Sequence, residues 1–435
     1  MFKISSSVLL VILAGSVQGG AQTMFRGDPG HSGTTSAQGP RELHGVRWRF
    51  VTGGRVISSP AWDAGTVYVG SDDGNLYAVE GATGRQRWKY TTGGPVPSSP
   101  AVSGGLVYFG SYDGRFYALS ADTGKLRWRF ETGGERRFEA KGLNGMLPKG
   151  QTFADPFDTF LSSPVVADGA VFFGSGDGNV YALDAATGTL RWKVQTGDVV
   201  HASPAYADGV VFVGSWDSFF YAIDAKTGKE RWRFKGGEDP VIHNQVGFQS
   251  SPSVAGGIVY TGCRDSNLYA LDAATGKEVW HLNNEGSWVV VAPAVSEGKV
   301  VFATSDSSLF HVVDARTGKP LVPKQDTKAY VFSSPTIAGG TVYFGVMNGT
   351  VEARDLLTGA VLWDFKTEAA KENRGWILTG DGRLNGLLTY YSSWREAPIV
   401  AAERGFGVGS FASTPIVADG MVIVGSADGA LYALS

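Results

Sequence analysis

The chain has 435 residues, a formal net charge of −3, 18% charged residues, 12% aromatics and 61 glycines. That balance excludes a disordered or collagen-like chain and carries no basic footprint for nucleic acid. A single cysteine, Cys263, excludes a disulfide framework, a Cys-rich zinc module and Cys-x-x-Cys-His haem attachment.

In chain order, Lys3 precedes an apolar run from Val8 to Ala14 and small residues from Gly15 to Ala21. This predicts a signal peptide over residues 1–21, too short to span a bilayer, with cleavage after Gly19 or Ala21. No cysteine stands near the cleavage region, so no lipid anchor is expected, and no later segment has about 18 uninterrupted apolar residues. The expected product is periplasmic or secreted and monomeric, with a leader over 22–44 and one repeat domain over 45–435.

The repeat unit runs Ser-Ser-Pro, a short spacer, Val-Tyr-Val-Gly-Ser, Asp-Gly-Asn, Leu-Tyr-Ala-Val, Thr-Gly and Trp. Its proline recurs at 60, 100, 164, 204, 252, 293, 335 and 415. Each unit of about 40 residues has three runs of strand character, with a fourth expected before each proline, separated by Gly- and Asp-rich turns. Four short strands per unit is the signature of a propeller blade, so the predicted fold is all-β, an eight-bladed β-propeller. The eighth unit stops at Leu431–Ser435, before its own Thr-Gly turn and tryptophan, while Gly45–Phe50 supplies a lone strand with Trp48. The N-terminal strand is therefore expected to complete the last blade and hide two open edges.

Seven tryptophans hold the repeat position: Trp48, Trp88, Trp128, Trp192, Trp232, Trp280 and Trp363, with Val322 in the eighth. A large ring recurring once per blade is expected to pack between neighbours. The repeated Asp73, Asp113, Asp177, Asp217, Asp265, Asp306 and Asp428 fit ordinary turn chemistry.

The run Tyr-Ala-Leu-Asp-Ala-Ala-Thr-Gly-Thr-Leu-Arg-Trp at 181–192, repeated closely at 269–280, resembles the tryptophan-docking repeat of pyrroloquinoline-quinone-type propellers, from Trp48 onward. One branch of that family comprises quinoprotein dehydrogenases of alcohols and sugars, which implies a quinone and Ca²⁺ on the ring axis. A second is the propeller lipoprotein of the outer-membrane β-barrel assembly machinery, which implies partner binding without catalysis. A third comprises exported repeat proteins, whose leader Met24–Gly33 resembles. The adjacent cysteine pair of the dehydrogenases and the acylated cysteine of the lipoprotein are both missing, and no calcium-ligand set matches residue by residue.

Three insertions, 135–161, 238–248 and 368–409, all enter an inner strand, which places them on one face, where loops on a rigid ring carry function. Three residues before the repeat proline, six blades carry Ile57, Pro97, Leu161, Val290, Phe332 and Ala412, whereas blades 4 and 5 carry His201 and Gln249. With Arg136, Arg137, Asp155, Asp158, Trp216, His243, Asn244, Gln245, Arg264 and Trp288, these mark a polar sector over blades 3 to 5. His201 or His243 beside Asp217 or Asp265 can serve as a general base or a metal ligand, although no ligand spacing supports a metal. Arg264 and the Arg136–Arg137 pair can clamp a carboxylate or phosphate, with tryptophans as stacking platforms for a quinone or sugar. Cys263 is either a reactive thiol or a small buried apolar group. The same residues can equally form a hydrogen-bonded plug across the axial channel. The last insertion adds Trp376 and Trp394 on a segment without strong helix or strand periodicity, suited to a binding surface or a lid.

The first functional expectation is an exported scaffold that binds a protein, small molecule or sugar on the insertion-bearing face, with no nucleic acid and no membrane anchor. The second is a quinone-dependent oxidoreductase on the same face, and the third a sugar-acid lyase or hydrolase.

Overall fold

The computed structural model describes residues 22–141, 152–237, 247–386 and 397–435. Eight sheets of four main strands follow one another around a ring. Blade 1 comprises Ala61–Asp63, Thr66–Gly70, Asn75–Glu80 and Gln86–Thr91, all antiparallel. The inner strand thus follows the repeat proline, where the sequence placed it before. Proline has no N–H for a ladder, and the two serines ahead of it have another task. Blade to blade, the Ser59, Ser99, Ser163 and Ser203 amides donate to the next blade's second serine (Ser99, Ser163, Ser203, Ser251) at 2.9–3.0 Å. Ser334 and Thr414 continue the ring back to Ser59. Blade 6, with Ala292 in place of that serine, offers Ser251 no hydroxyl.

The repeat tryptophans lie on the outer strands, and in six of the seven the indole N–H reaches a carbonyl of the next blade. Trp48, Trp88, Trp128, Trp192, Trp232 and Trp280 donate to Gly81, Ala121, Ala185, Ala225, Ala273 and Ala315 at 2.8–3.1 Å. The indole faces lie flat on the Thr-Gly turn, which explains its glycine. A Cβ at Gly228 (φ +70°) would come within 2.9 Å of the Trp192 ring. The turn aspartates join loops. Asp73, for example, accepts from Gly53 N and from the Tyr77 hydroxyl. The same Asp–Tyr bond recurs at 113/117, 177/181, 217/221, 265/269 and 428/432.

Closure is as the sequence predicts. Val46–Val51 pairs antiparallel with Ala430–Leu434, with Trp48 opposite Ala433. Ser435 and Gly45 exchange backbone bonds where the other blades have a turn. The eighth Thr-Gly turn is absent, so Trp363 of blade 7 donates to Pro40 of the leader at 2.8 Å.

The leader also winds through the axis. Carbonyls of Gln22, Thr23, Pro29, Gly30, Ser32 and Gly33 accept from the inner-strand amides of Trp62, Val102, Tyr206, Val254, Val295 and Ile337. Thr34–Thr35 adds a short parallel strand to Thr336–Ala338. Buried Arg26 donates to the carbonyls of Pro335 at 2.5 Å and Pro293 at 2.9 Å, tying blade 7 to blade 6. At that seam Val322 replaces tryptophan.

The described part of the last insertion, read from sequence as aperiodic, contains helices α1 (Glu368–Glu372) and α2 (Ala397–Gly407). The Thr367 hydroxyl caps α1 by accepting from Ala370 N, a short-helix signal that the length of the loop obscures. Among the described residues no helix is long and apolar enough to cross a membrane.

Candidate functional site

Opposite the leader, the blade 3 insertion folds across the mouth of the axis. Its strands Glu139–Lys141 and Thr152–Ala154 form a small hairpin, and the turn after it delivers Asp155 and Asp158, both fully buried. Arg264, from the blade 5 turn, is 1% exposed. Its Nη1 meets Asp155 Oδ2 at 2.5 Å, and Nε and Nη2 both donate to Gln249 Oε1. The guanidinium is sandwiched between Trp216 and Trp288, at 4.1 and 4.2 Å from the ring centroids. Phe138 stacks on the far face of Trp216 at 4.4 Å. The result is a layered stack of phenyl, indole, guanidinium and indole, held by dispersion and cation–π attraction in a desolvated setting.

Beside it, His201 Nδ1 lies 2.7 Å from Asp158 Oδ1, with Glu135 3.6 Å from Nε2. Burial alone would lower the imidazole pKa, but Asp158 and Glu135 outweigh it and raise it to about 10. His201 is therefore an imidazolium at neutral pH and has no free lone pair for general-base work or metal ligation. The carboxylates are saturated from the backbone as well: Asp158 accepts from Phe138 N, Asp155 from Phe157 N, and Glu135 from Gly176 N and the Ser175 hydroxyl. Because the folded pKa of His201 exceeds its ordinary 6.5, its contribution to stability is complete below about pH 6.5 and is lost as pH rises through about 10. Urea unfolding from pH ~6 to ~10 should show that loss in the wild type. His201→Gln should flatten the difference, and an equal slope in both would remove this ion pair from the account.

The other sequence candidates distribute as follows. Trp216, Trp288, Gln249, Arg264, His201 and Asp158 converge on this mouth. Asp217 and Asp265 do not join His201; they hold the Tyr221 and Tyr269 hydroxyls and the Gly197 and Gly237 amides. The indoles of Trp216 and Trp288 face Arg264 and are 1% and 5% exposed, which leaves no open platform for a planar ligand. Arg136 pairs on the surface with Asp198 at 2.8 Å, and Arg137 lies near Tyr112 and Asp72. Cys263 is buried against Gly247 O, and burial raises its thiol pKa well above normal. Trp376 stands 62% exposed on the last insertion. His243, Asn244, Gln245 and Trp394 lie outside the described residues. Asp155, Glu135 and Phe138 complete the mouth; the sequence gives Asp155 no partner, because the insertion has no repeat register to align it.

Between this stopper and the leader lies a cavity of about 40 Å³, lined by Phe25, Phe160, His201, Gln249, Phe332 and the inner ring of serines. It holds a few waters at most, whereas organic ligands occupy pockets of roughly 300–1,000 Å³. Among the described residues, no three His, Cys, Asp or Glu side chains are grouped to hold a metal. The residues at this mouth therefore do not fit a tricyclic quinone with its calcium.

Tryptophan-docked blades, the N-terminal closing strand and the ring of Ser-Ser-Pro links together define a pyrroloquinoline-quinone-like β-propeller. A family profile described as outer membrane protein assembly factor BamB matches residues 41–159 and 149–363, and the chain belongs to that family. No curated protein matches it in sequence. Among solved structures, BamB from Moraxella catarrhalis aligns with a TM-score of 0.65 at 16% identity, covering 90% of this chain and 99% of that one. A europium-containing methanol dehydrogenase aligns at 0.67 and 16%, covering 96% and 98%. Quinohemoprotein alcohol dehydrogenase from Comamonas testosteroni aligns at 0.68 and 15%, covering 95% and 80%. At such identities these likenesses establish the fold, which both kinds of function share.

Proposed function

We propose that the protein is a non-catalytic binding scaffold of the cell envelope, exported by residues 1–21, which engages a protein partner through its insertion-bearing face. The observation that carries this reading is the stoppered axis. Where the quinoprotein resemblance implies a cofactor, Arg264 fills the slot between Trp216 and Trp288, and every charged group there is already paired. The lyase or hydrolase reading needs a free histidine base, and His201 is held as a cation. What remains available on that face is the blade 8 insertion, with exposed Trp376, the residue type that most often anchors protein interfaces.

The test titrates the mature protein with pyrroloquinoline quinone, with and without Ca²⁺, and separately with a purified outer-membrane assembly complex depleted of its own BamB. Expected are no quinone quenching of tryptophan fluorescence, no dye-linked oxidation of alcohols or sugars, and saturable binding to the complex that Trp376→Ala weakens. Calcium-dependent quenching with turnover would overturn the proposal, as would failure to bind the complex.

A further inference from the structure

Blades 6 and 7 both lack the Asp–Tyr pair, blade 6 carrying Ser307 and His311 in its place, and at blade 7 a pocket opens. In six blades the turn aspartate accepts from the tyrosine four residues on. At the corresponding positions blade 7 has Asn348 and Glu352. Without the tyrosine ring, and with α1 and the segment after it leaning over the blade edge, a cavity of about 250 Å³ forms. Its floor is Asn348, Thr350 and Glu352, all buried. Its apolar wall is Ala370 and Leu378, and its rim carries Lys328, Lys366, Lys371 and Arg374 with Asp364 and Asp381.

Two observations point to a ligand. Asn348 is 5% exposed; its Nδ2 donates to Gly382 O, yet its Oδ1 has no partner. A buried acceptor left unmet is destabilising, and one at a cavity wall is satisfied by whatever donor enters. Second, the rim cations are unevenly paired. Lys366 meets Asp364 at 2.5 Å and Lys371 meets Glu368 at 2.7 Å. Among the described residues neither Lys328 nor Arg374 has a carboxylate within 4.0 Å, Lys328 acting on Glu352 only from farther off, and Arg374 Nε donates to Gly380 O.

We infer that this pocket binds a single sugar ring bearing a carboxylate, a hexuronic acid. A hydroxyl supplies the donor that Asn348 Oδ1 lacks, the carboxylate faces Lys328 and Arg374, and the ring's C–H face lies on Ala370 and Leu378, while Glu352, Asp364 and Asp381 keep Arg354, Lys366 and Arg383. A bare anion such as phosphate has no apolar face to set against Ala370 and Leu378 and brings its full charge against Asp364 and Asp381. A neutral sugar leaves the two cations unused. The volume, below the range of drug-sized sites, suits one ring. The inference is independent of whether a protein docks on the same face.

The test is calorimetric titration of the full mature protein with free glucuronate and galacturonate, a galacturonate oligomer, glucose and inorganic phosphate. The expected result is saturable uronate binding at least tenfold tighter than glucose or phosphate. It should fall at least tenfold in Arg374→Gln, an exposed change that leaves the unfolding midpoint in place. Asn348→Asp, which sets a negative charge against the carboxylate, should weaken it similarly. Tighter binding of the oligomer than of the monomer assigns the ligand to a polysaccharide, and the reverse to the free sugar acid. Glucose or phosphate binding as well as uronate, no uronate binding, or wild-type affinity in folded Arg374→Gln would overturn the inference.

Discussion

Arg264→Ala is expected to destabilise the protein by about 3–5 kcal/mol, the usual cost of stranding one member of a buried ion pair. Asp155 would keep its charge while fully buried, and Trp216 and Trp288 would face a void instead of a guanidinium. Denaturant unfolding of the single variants and of Arg264→Ala with Asp155→Ala measures the coupling. The double variant should recover part of the loss, because neither charge is then left alone. A catalytic or ligand-clamping arginine would behave oppositely, with its removal abolishing activity at little cost in stability. A change within about 0.5 kcal/mol, the range for ordinary surface sites, would remove the stopper from the structural account.

Removal of residues 22–44 should have a still larger effect. Six inner-strand amides lose their carbonyl partners, each comparable to an unmade buried hydrogen bond if water does not follow. Trp363 loses Pro40, and blades 6 and 7 lose the Arg26 bridge. Arg26→Ala isolates that last term and is expected to cost about 1–3 kcal/mol, from the buried Pro335 carbonyl left without a donor, while the Pro293 carbonyl keeps the Ser253 hydroxyl. Thermal unfolding followed by near-UV dichroism should show the deletion far below every point variant, or without a cooperative transition at all. A truncated protein with the wild-type midpoint would mean that the inner strands do not depend on the leader.

The two results bear on what could be read from the residues alone. Blade number, order and closure were legible because they rest on side chains with one available job. A tryptophan every 40 residues or so needs a flat partner, Thr-Gly turns provide it, and an unpaired strand at each end needs its complement. The convergence of His201, Gln249, Arg264, Trp216 and Trp288 was legible as departures from a repeat. Their partners were not, since the pairing of Arg264 with Asp155 depends on how an insertion without register folds. The leader left still less trace. It works mainly through main-chain carbonyls, which every residue possesses, so no side-chain pattern marks which of them face an inner strand. Asn348 and Glu352 stood in plain view as missing members of the Asp–Tyr pair, but a missing bond acquires meaning only when α1 is seen to roof the space it leaves.

The closing strand also governs the time course of folding. Arg49 meets Tyr432 from 383 positions away along the chain, among the most non-local contacts a chain of this length can make, and such pairings form late and slowly. Until the last blade emerges, Val46–Val51 is an unpaired edge rich in aromatic and basic side chains. The half-made ring meanwhile exposes both of its flanks to other chains. Each molecule is thus most exposed to association with others in the interval between its first strand and its last.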